Sequence, residues 1–139
     1  MQLEVSQPQP AAALRKSCVH TSAGTGGLGL EICIAMAESG ADVVFIHLPG
    51  DPGQKVLETE VYKTGRKIEG FECDVGNSLQ IRATFEQIWN RGLVPDILLN
   101  CAGLNRRGPI EETTDENLDL VCTSNDPENF RLIESRSFP

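Results

Sequence analysis

The amino-acid sequence predicts an α/β protein built on a parallel β-sheet. Short β-branched or apolar runs alternate along the chain with longer segments of helical periodicity. Four glycines within the six residues Gly24–Gly29 join the first of these runs to the first helical segment. Strands that alternate with helices of this length form right-handed crossover units, and such units place their strands parallel in one sheet.

The first predicted strand, residues 17–22, leads through the glycine cluster into a helix. Four apolar residues recur at helical spacing and predict this helix: Leu28, Ile32, Ala35 and Met36. Gly40 ends the helix, because glycine readily adopts the left-handed conformation that follows a helix. Upstream, Pro8 and Pro10 disfavour regular structure and predict a flexible tail over residues 1–16.

The next unit begins with the β-branched strand Ala41–His47. The turn-forming residues 48–53 close that strand, and a second helix is predicted over Gln54–Lys63. The alternating residues Lys67–Cys73 predict the third strand.

The following residues predict a helix, a buried strand and a final helix. Ser78 is the expected N-cap of a helix that extends to about Arg91. Its apolar face is predicted to comprise Ile81, Phe85, Ile88 and Trp89. Val94–Asn100 opens with a turn and continues as an apolar run typical of a strand buried on both faces. Thr113 or Thr114 caps the final helix, whose first turn is acidic.

The composition is that of a single globular domain. With 139 residues and a net charge of −8, and with no run of Lys or Arg longer than a pair, the chain is not expected to bind nucleic acid. No apolar run approaches the roughly 18 residues of a membrane span, and no secretory signal is expected. The five cysteines are scattered without a Cys-x-x-Cys pair and predict no metal site. We therefore expect a cytoplasmic protein with no membrane partner.

The glycine cluster predicts phosphate binding. A strand that turns through glycines into a helix presents free N–H groups and the positive end of the helix dipole, and glycine lets the backbone approach a pyrophosphate. Two registers fit: Gly-x-Gly-x-x-Gly starting at Gly24, and Gly-x-Gly starting at Gly27 after Ser22. No Gly-Lys-Ser/Thr follows, so a Walker loop is excluded. A glycine-rich turn that only closes the strand–helix unit is the alternative.

Three motifs together resemble the short-chain dehydrogenase/reductase family. They are Ser22–Gly29, Asp74–Val75 after the third strand and Asn100–Gly103 after the fourth, where the family has Thr-Gly-x-x-x-Gly-x-Gly, Asp-Val and Asn-Asn-Ala-Gly. The resemblance implies a Rossmann-type doubly wound parallel sheet over residues 17–121, incomplete at about four strands. Residues 122–139 are then an atypical C-terminal tail. Without the family's fifth strand, the fourth would be an apolar edge.

The resemblance implies NAD or NADP as cofactor and assigns residues to it. Gly27, Leu28 and Gly29 would form the turn around the pyrophosphate, and Ser22 and Gly24 would also contact the cofactor. Asp74 would bind the adenine amino group, and Val75 would line the ring. Asn100, Ala102 and Gly103 would form the wall beside the adenine ribose.

The choice between NAD and NADP is left open by the end of the second strand. His47 stands where an NAD-preferring member has an acid, and no Arg is there to meet a 2′-phosphate. His47 either contacts the ribose or only caps the strand. Ala23 and Cys101 depart from the family pattern, and Ala23 adds a Cβ to a tight turn. The pair at residues 106–107 either holds a substrate carboxylate or is a solvated pair of arginines.

The resemblance further implies hydride transfer between nicotinamide and an alcohol or carbonyl, with a Tyr as general acid/base, a Lys four residues later and a Ser. The chain's one tyrosine, Tyr62, lies between the second and third strands and has Arg66 at the fourth following position. We interpret Tyr62 as a helix-face residue. The family also has a catalytic Asn, and Asn125 falls in register with it. From Asp126 the family pattern is absent.

These observations predict a truncated oxidoreductase that is inactive as given. Residues 104–121 resemble gluconate and 2-deoxygluconate dehydrogenases, which implies a sugar acid as the small-molecule substrate of the full-length enzyme. A non-catalytic dinucleotide-binding module and a structural remnant are the alternatives. The homo-oligomer typical of the family is not expected for the short chain.

Overall fold

Strands and helices alternate throughout the part of the chain that the computed structural model describes, which is residues 18–22, 24–104 and 108–125. The elements in chain order are β1 (Cys18–Ser22), α1 (Gly27–Glu38), β2 (Asp42–His47), α2 (Gly53–Lys63), β3 (Ile68–Glu72), α3 (Ser78–Asn90), β4 (Ile97–Asn100) and α4 (Asp115–Ser124). A single 3-10 turn at Ile110–Glu112 precedes α4. The predicted alternation of strands and helices is confirmed.

The four described strands form one parallel sheet in the order β3-β2-β1-β4. In its register, Ser22 lies opposite both Ile46 and Asn100, so β1, β2 and β4 end at the same edge of the sheet. His47 lies opposite Glu72, which brings the end of β3 to that edge as well. The chain therefore has the Rossmann-type doubly wound sheet that the sequence predicts, and the strand order reverses between β1 and β4.

Helices cover both faces of the sheet, and β2 supplies side chains to each core. The core under α1 and α2 contains Cys33, Ala37, Val43, Phe45, Leu57 and Val61. The core under α3 contains Val44, Ile46, Phe71, Cys73, Ile81, Phe85 and Ile88. Because successive strand residues point to opposite faces, a central strand covered on both sides becomes apolar throughout.

The apolar residues whose spacing predicts α1 do not mark its buried face. Leu28 is 81% exposed, and the buried residues of this helix are Gly29, Cys33 and Ala37. Apolar residues lie on most sides of α1, so their periodicity cannot select one face. The small side chains lie inward, because they let the helix approach the sheet closely.

The predicted N-cap of α3, Ser78, is wrong by one residue. The side chain of Asn77, not that of Ser78, accepts hydrogen bonds from the N–H groups of Leu79 and Gln80. Asparagine and serine cap helices about equally well, so the sequence alone does not separate adjacent candidates. The predicted apolar face is confirmed, with Trp89 half-buried at its margin.

The fourth strand is shorter and less buried than its sequence predicts. Residues Ile97–Leu99 are half-buried and Asn100 is exposed, although the apolar run is typical of a strand covered on both faces. Within the described part of the chain β4 pairs only with β1, so it forms the predicted apolar edge of the sheet. The residues before Ile97 lie outside the strand, as their turn-like sequence predicts, and Asp96 among them accepts a hydrogen bond from the N–H of Cys18 at 2.7 Å.

None of the helices in the described ranges is long and apolar enough to cross a membrane. Several sequence predictions concern residues outside those ranges: the tail over residues 1–16, the Cβ of Ala23, the arginines at 106–107 and the segment from Asp126 onward. The predicted domain boundary after residue 121 falls within α4 and stays a prediction.

Candidate functional site

A cleft of about 190 Å³ opens at the carboxyl ends of the strands. It is lined by Thr25, Ile46, His47, Leu48, Asp51, Cys73, Asp74, Val75, Gly76, Ala102, Gly103 and Leu104. These residues come from the end of β2 and from segments that follow all four strands. Ligands of doubly wound sheets bind outside the carboxyl ends of the strands, where the strand order reverses, and this cleft lies at that edge of the sheet.

Five of the residues predicted to bind a cofactor line this cleft: His47, Asp74, Val75, Ala102 and Gly103. They belong to three segments that are far apart in sequence, and the parallel sheet brings their ends together. Ser22, Gly24, Gly27, Leu28, Gly29 and Asn100 are not among the lining residues. They lie at the end of β1, in the turn and first helical residues after it, and at the end of β4.

Ser22 connects two walls of the site. Its side chain is buried, and its Oγ accepts hydrogen bonds from the N–H groups of Cys101 and Ala102, each at 3.1 Å. The hydroxyl therefore fixes the segment after β4 against the end of β1. Asn100 lies opposite Ser22 in the strand ladder and is exposed.

The glycines of the turn have different functions. A Cβ on Gly24 would lie 2.8 Å from Thr21 Cγ2 and 3.0 Å from Cys33 Sγ, so glycine is needed there for packing. Gly27 has a φ of +53° and open space where its Cβ would be, so glycine is needed there for the backbone conformation. Because α1 begins at Gly27, the Gly27-x-Gly29 register places its glycines in the first helical turn.

The start of α1 can accommodate an anion. Gly26 occupies the N-cap position and provides no side-chain acceptor, and the first turn contains no acidic residue. The first N–H groups of a helix lack intrahelical partners and carry the positive end of its dipole. Leu28 is mostly exposed beside them, whereas Gly29 is buried.

Asp51 is a lining residue that the sequence reasoning missed. Its Oδ2 accepts a hydrogen bond from Thr25 Oγ1 at 2.6 Å, and its Oδ1 accepts one from the N–H of Gly53 at 2.8 Å. These two hydrogen bonds, with the nearby His47 ring as a smaller cause, hold the pKa of Asp51 below its ordinary value. The carboxylate is therefore ionised at neutral pH.

The sequence predicts only that Asp51 belongs to the turn after β2. The available signal is the Asp-Pro-Gly sequence at residues 51–53, because an aspartate in a turn commonly accepts from the N–H two residues on. The hydrogen bond from Thr25 could not be predicted, because 26 residues separate the two side chains. Thr25 lies in the glycine turn, where sequence reasoning considers only the glycines.

His47 is held firmly at the end of β2. Its ring is buried and stacks on Phe45 with ring centroids 5.2 Å apart. Its Nδ1 lies 2.9 Å from the carbonyl oxygen of Leu48. A carbonyl oxygen only accepts, so Nδ1 carries the hydrogen of this bond. His47 thus both lines the cleft and closes the strand.

Asp74 lines the cleft in the segment after β3. Its Oδ1 accepts a hydrogen bond from the N–H of Gly76 at 2.9 Å, and its own N–H donates to Gln80 Oε1 at 2.9 Å. The side chain is exposed. It is therefore oriented by the turn and keeps acceptor capacity for a ligand.

Asn125, the C-cap residue of α4, supports the loop after β4. Its Nδ2 donates hydrogen bonds to the carbonyl oxygens of Leu104 at 2.8 Å and Val121 at 2.7 Å. A Cβ on Gly103 would lie 2.5 Å from Asn125 Oδ1, so glycine at 103 makes room for this side chain. Asn125 does not line the cleft, and its catalytic function stays a prediction.

The strand order, the cleft at the strand ends and the open start of α1 define a Rossmann-type nucleotide-binding fold. Residues 17–130 match the family described as short chain dehydrogenase. The chain belongs to the short-chain dehydrogenase/reductase family, as its motifs predict. Members of this family are NAD(P)-dependent oxidoreductases.

Individual relatives agree with this assignment. The chain is 30% identical to a 2-dehydro-3-deoxy-D-gluconate 5-dehydrogenase of Pseudoalteromonas atlantica over 106 residues, which are 76% of this chain and 42% of that protein. It is 28% identical over 130 residues to hydroxynaphthalene reductase-like protein Arp2 of Metarhizium majus, covering 93% of this chain and 48% of that protein. A solved dehydrogenase/reductase from Sinorhizobium meliloti has the same fold, with a TM-score of 0.79 at 24% identity, over 91% of this chain and 50% of the other. The chain spans about half the length of these proteins.

Proposed function

We propose that this chain forms the cofactor-binding part of an oxidoreductase that interconverts an alcohol and a carbonyl compound with NAD(P). The observation that carries the proposal is the cleft at the carboxyl edge of the sheet, which gathers residues from segments after all four strands. Its position agrees with the general location of ligands in doubly wound folds.

The residues at the cleft are suited to the adenosine and pyrophosphate of such a cofactor. The uncapped first turn of α1 offers N–H groups to the pyrophosphate. The Asp74 carboxylate can accept from the adenine amino group, and Val75 provides an apolar surface for the ring. Ala102 and Gly103, held by Ser22, form a wall without large side chains. When bound, the cofactor supplies the nicotinamide that accepts or donates hydride.

For the substrate we propose a sugar acid. The support is the resemblance of residues 104–121 to gluconate-type dehydrogenases, together with the 30% identity to an enzyme named for 2-dehydro-3-deoxy-D-gluconate. Turnover of sugar acids by an enzyme that contains this chain, compared with turnover of neutral sugars and aromatic ketones, tests the substrate class.

We further propose that the 139-residue chain binds the cofactor without turnover. Tyr62 is 64% exposed near the end of α2, and it is not among the lining residues. The neighbouring Arg66 pairs with Asp42 at 2.7 Å, at the amino end of β2 and thus away from the cleft. A tyrosine so placed cannot exchange a proton with a substrate in the cleft. Oxidation of any sugar acid by the purified chain would contradict this part of the proposal.

Calorimetric titration of the purified chain with NADH tests binding. We expect saturable binding at one site per chain, and about tenfold weaker binding for Asp74→Asn, because the amide presents a donor where the adenine amino group needs an acceptor. Asp119→Asn makes the same change in charge on the exposed surface of α4 and serves as the control. Absence of saturable binding, or equal weakening by both substitutions, would contradict the proposal.

A further inference from the structure

We infer that this cleft selects NAD(H) over NADP(H) and that Asp51 is the residue that discriminates between them. The inference rests on the proposed function and specifies which cofactor the site takes. It concerns a position four residues beyond the end of β2, where the sequence indicates only a turn.

The Asp51 carboxylate is fixed between two walls of the cleft. One oxygen accepts from Thr25 in the glycine turn, and the other accepts from the N–H of Gly53 at the start of α2. The two walls are themselves in close contact: a Cβ on Gly53 would lie 2.0 Å from the carbonyl oxygen of Thr25. The carboxylate therefore cannot turn away from a bound ligand without breaking these two hydrogen bonds.

The same carboxylate can still accept further hydrogen bonds. An ionised carboxylate has about four acceptor positions, and the contacts with Thr25 and Gly53 use two of them. One position remains on each oxygen. Two adjacent hydroxyl groups, such as the 2′ and 3′ hydroxyls of a ribose, match this pair of acceptors.

The charge around Asp51 opposes a phosphate. The ionisable side chains that line the cleft in the described part of the chain are His47, Asp51, Cys73 and Asp74, and no Lys or Arg is among them. The Nδ1 hydrogen of His47 is already donated to the carbonyl oxygen of Leu48. A 2′-phosphate carries between one and two negative charges near neutral pH. Beside a fixed carboxylate and without a lining Lys or Arg, it is repelled, whereas a hydroxyl group is bound.

Competing titrations with NADH and NADPH test the inference on the 139-residue chain. We expect the wild-type chain to bind NADH at least about tenfold more tightly than NADPH, a ratio that corresponds to a modest like-charge repulsion near a protein surface. Asp51→Asn removes the charge and keeps the shape. It should bring the two dissociation constants to within about threefold of each other, with NADPH binding strengthened.

Two further variants keep this test decisive. Glu58→Gln removes one negative charge from α2 at a residue that does not line the cleft, and it should leave the NADH-to-NADPH ratio unchanged. Asp51→Glu keeps the charge but displaces the carboxylate, so NADPH should still be rejected while NADH binds several-fold more weakly. Asp51→Glu decides the question if Asp51→Asn fails to fold by circular dichroism.

The outcomes separate this inference from the proposed function. If neither nucleotide binds the wild-type chain, the proposed function fails and the inference fails with it. If both bind equally, the proposed function stands and the selection for NAD(H) is wrong. A preference for NADH that Asp51→Asn leaves unchanged would overturn the assignment to Asp51.

Discussion

Gly24 and Gly27 lie three positions apart in one turn, yet glycine is needed at each for a different physical reason. At Gly24 the neighbouring side chains of Thr21 and Cys33 leave no room for a Cβ. At Gly27 there is ample room, but the backbone is in the left-handed region that residues with a Cβ rarely adopt. A glycine motif read from sequence therefore combines packing and backbone requirements that only the structure separates.

We expect Gly24→Ala and Gly27→Ala to destabilise the chain through these two mechanisms. Overpacking at Gly24 should cost about 1–3 kcal/mol, and the positive φ at Gly27 should cost about 1–2 kcal/mol. Urea unfolding measures both. Gly108→Ala is the control, because open space surrounds its Cβ position and its φ is not positive. Gly24→Ala as stable as this control would show that the turn can relax.

The candidate site shows what the sequence can predict about residues and what it cannot. His47, Asp74, Val75, Ala102 and Gly103 were predicted from the resemblance to the family's motifs, and they meet in the cleft because parallel strands end at one edge. Ser22 was predicted to contact the cofactor, but its hydroxyl accepts from the backbone 79 and 80 residues away. Thr25 and Asp51 were not predicted at all. Contacts between side chains that are distant in sequence leave no local pattern.

At the scale of elements, amphipathic helices were predicted better than uniformly apolar ones. The buried face of α3 was predicted because polar residues mark its other side. The face of α1 was not, because apolar residues surround that helix and the small residues pack inward. The ends of α2 and β4 depend on neighbours in space: Asp51 and Thr25 fix the start of α2, and the open side of β4 leaves it half-buried.

The contact between Thr25 and Asp51 joins the glycine turn to α2 and should make stability depend on pH. Hydrogen bonding lowers the pKa of Asp51 in the folded state, so its stabilisation is present above the unfolded-state pKa and is lost as the pH falls through the folded-state pKa. Thr25→Val removes the main cause of the lowered pKa. We expect the variant to be less stable at neutral pH, with a difference from wild type that shrinks below about pH 3.

Urea unfolding of both proteins between about pH 7 and pH 2 measures that difference. Thr59→Val is the matched control, because the Thr59 hydroxyl donates to the carbonyl oxygen of Lys55 rather than to a carboxylate. Its effect on the free energy of unfolding should not change with pH. A constant difference for Thr25→Val over the same range would show that the hydrogen bond does not hold Asp51 ionised.

At the scale of the whole molecule, the cleft is lined by residues from every part of the sheet. Segments from after β1, β2, β3 and β4 line it, so a ligand bound there contacts every crossover unit of the described chain. The sheet itself is bordered by the half-buried apolar strand β4, whose outer side has no partner strand within the described ranges. Such an edge limits the stability that the sheet can reach alone.

We expect bound NADH to stabilise the whole folded chain against unfolding. At a concentration about 100-fold above the dissociation constant, binding adds about 2.7 kcal/mol to the free energy of unfolding. For a chain of this size, that raises the thermal midpoint by roughly 5–10 °C. Circular dichroism melts with and without NADH measure the shift, and Asp74→Asn should reduce it. An unchanged midpoint at saturating NADH would contradict binding to the folded sheet.

The hydroxyl of Ser22 also bears on the order in which the molecule assembles. The units β1-α1-β2 and β2-α2-β3 close over short stretches of chain, whereas β4 must return across 79 residues before the N–H of Cys101 reaches Ser22. Closing a longer loop costs more chain entropy, and contacts between distant residues slow folding. We therefore expect the wall at Ala102 to form late. Until then a newly made chain has its glycine turn but no complete cleft. The cofactor therefore binds only after β4 has joined the sheet, and it does not guide the earlier folding steps.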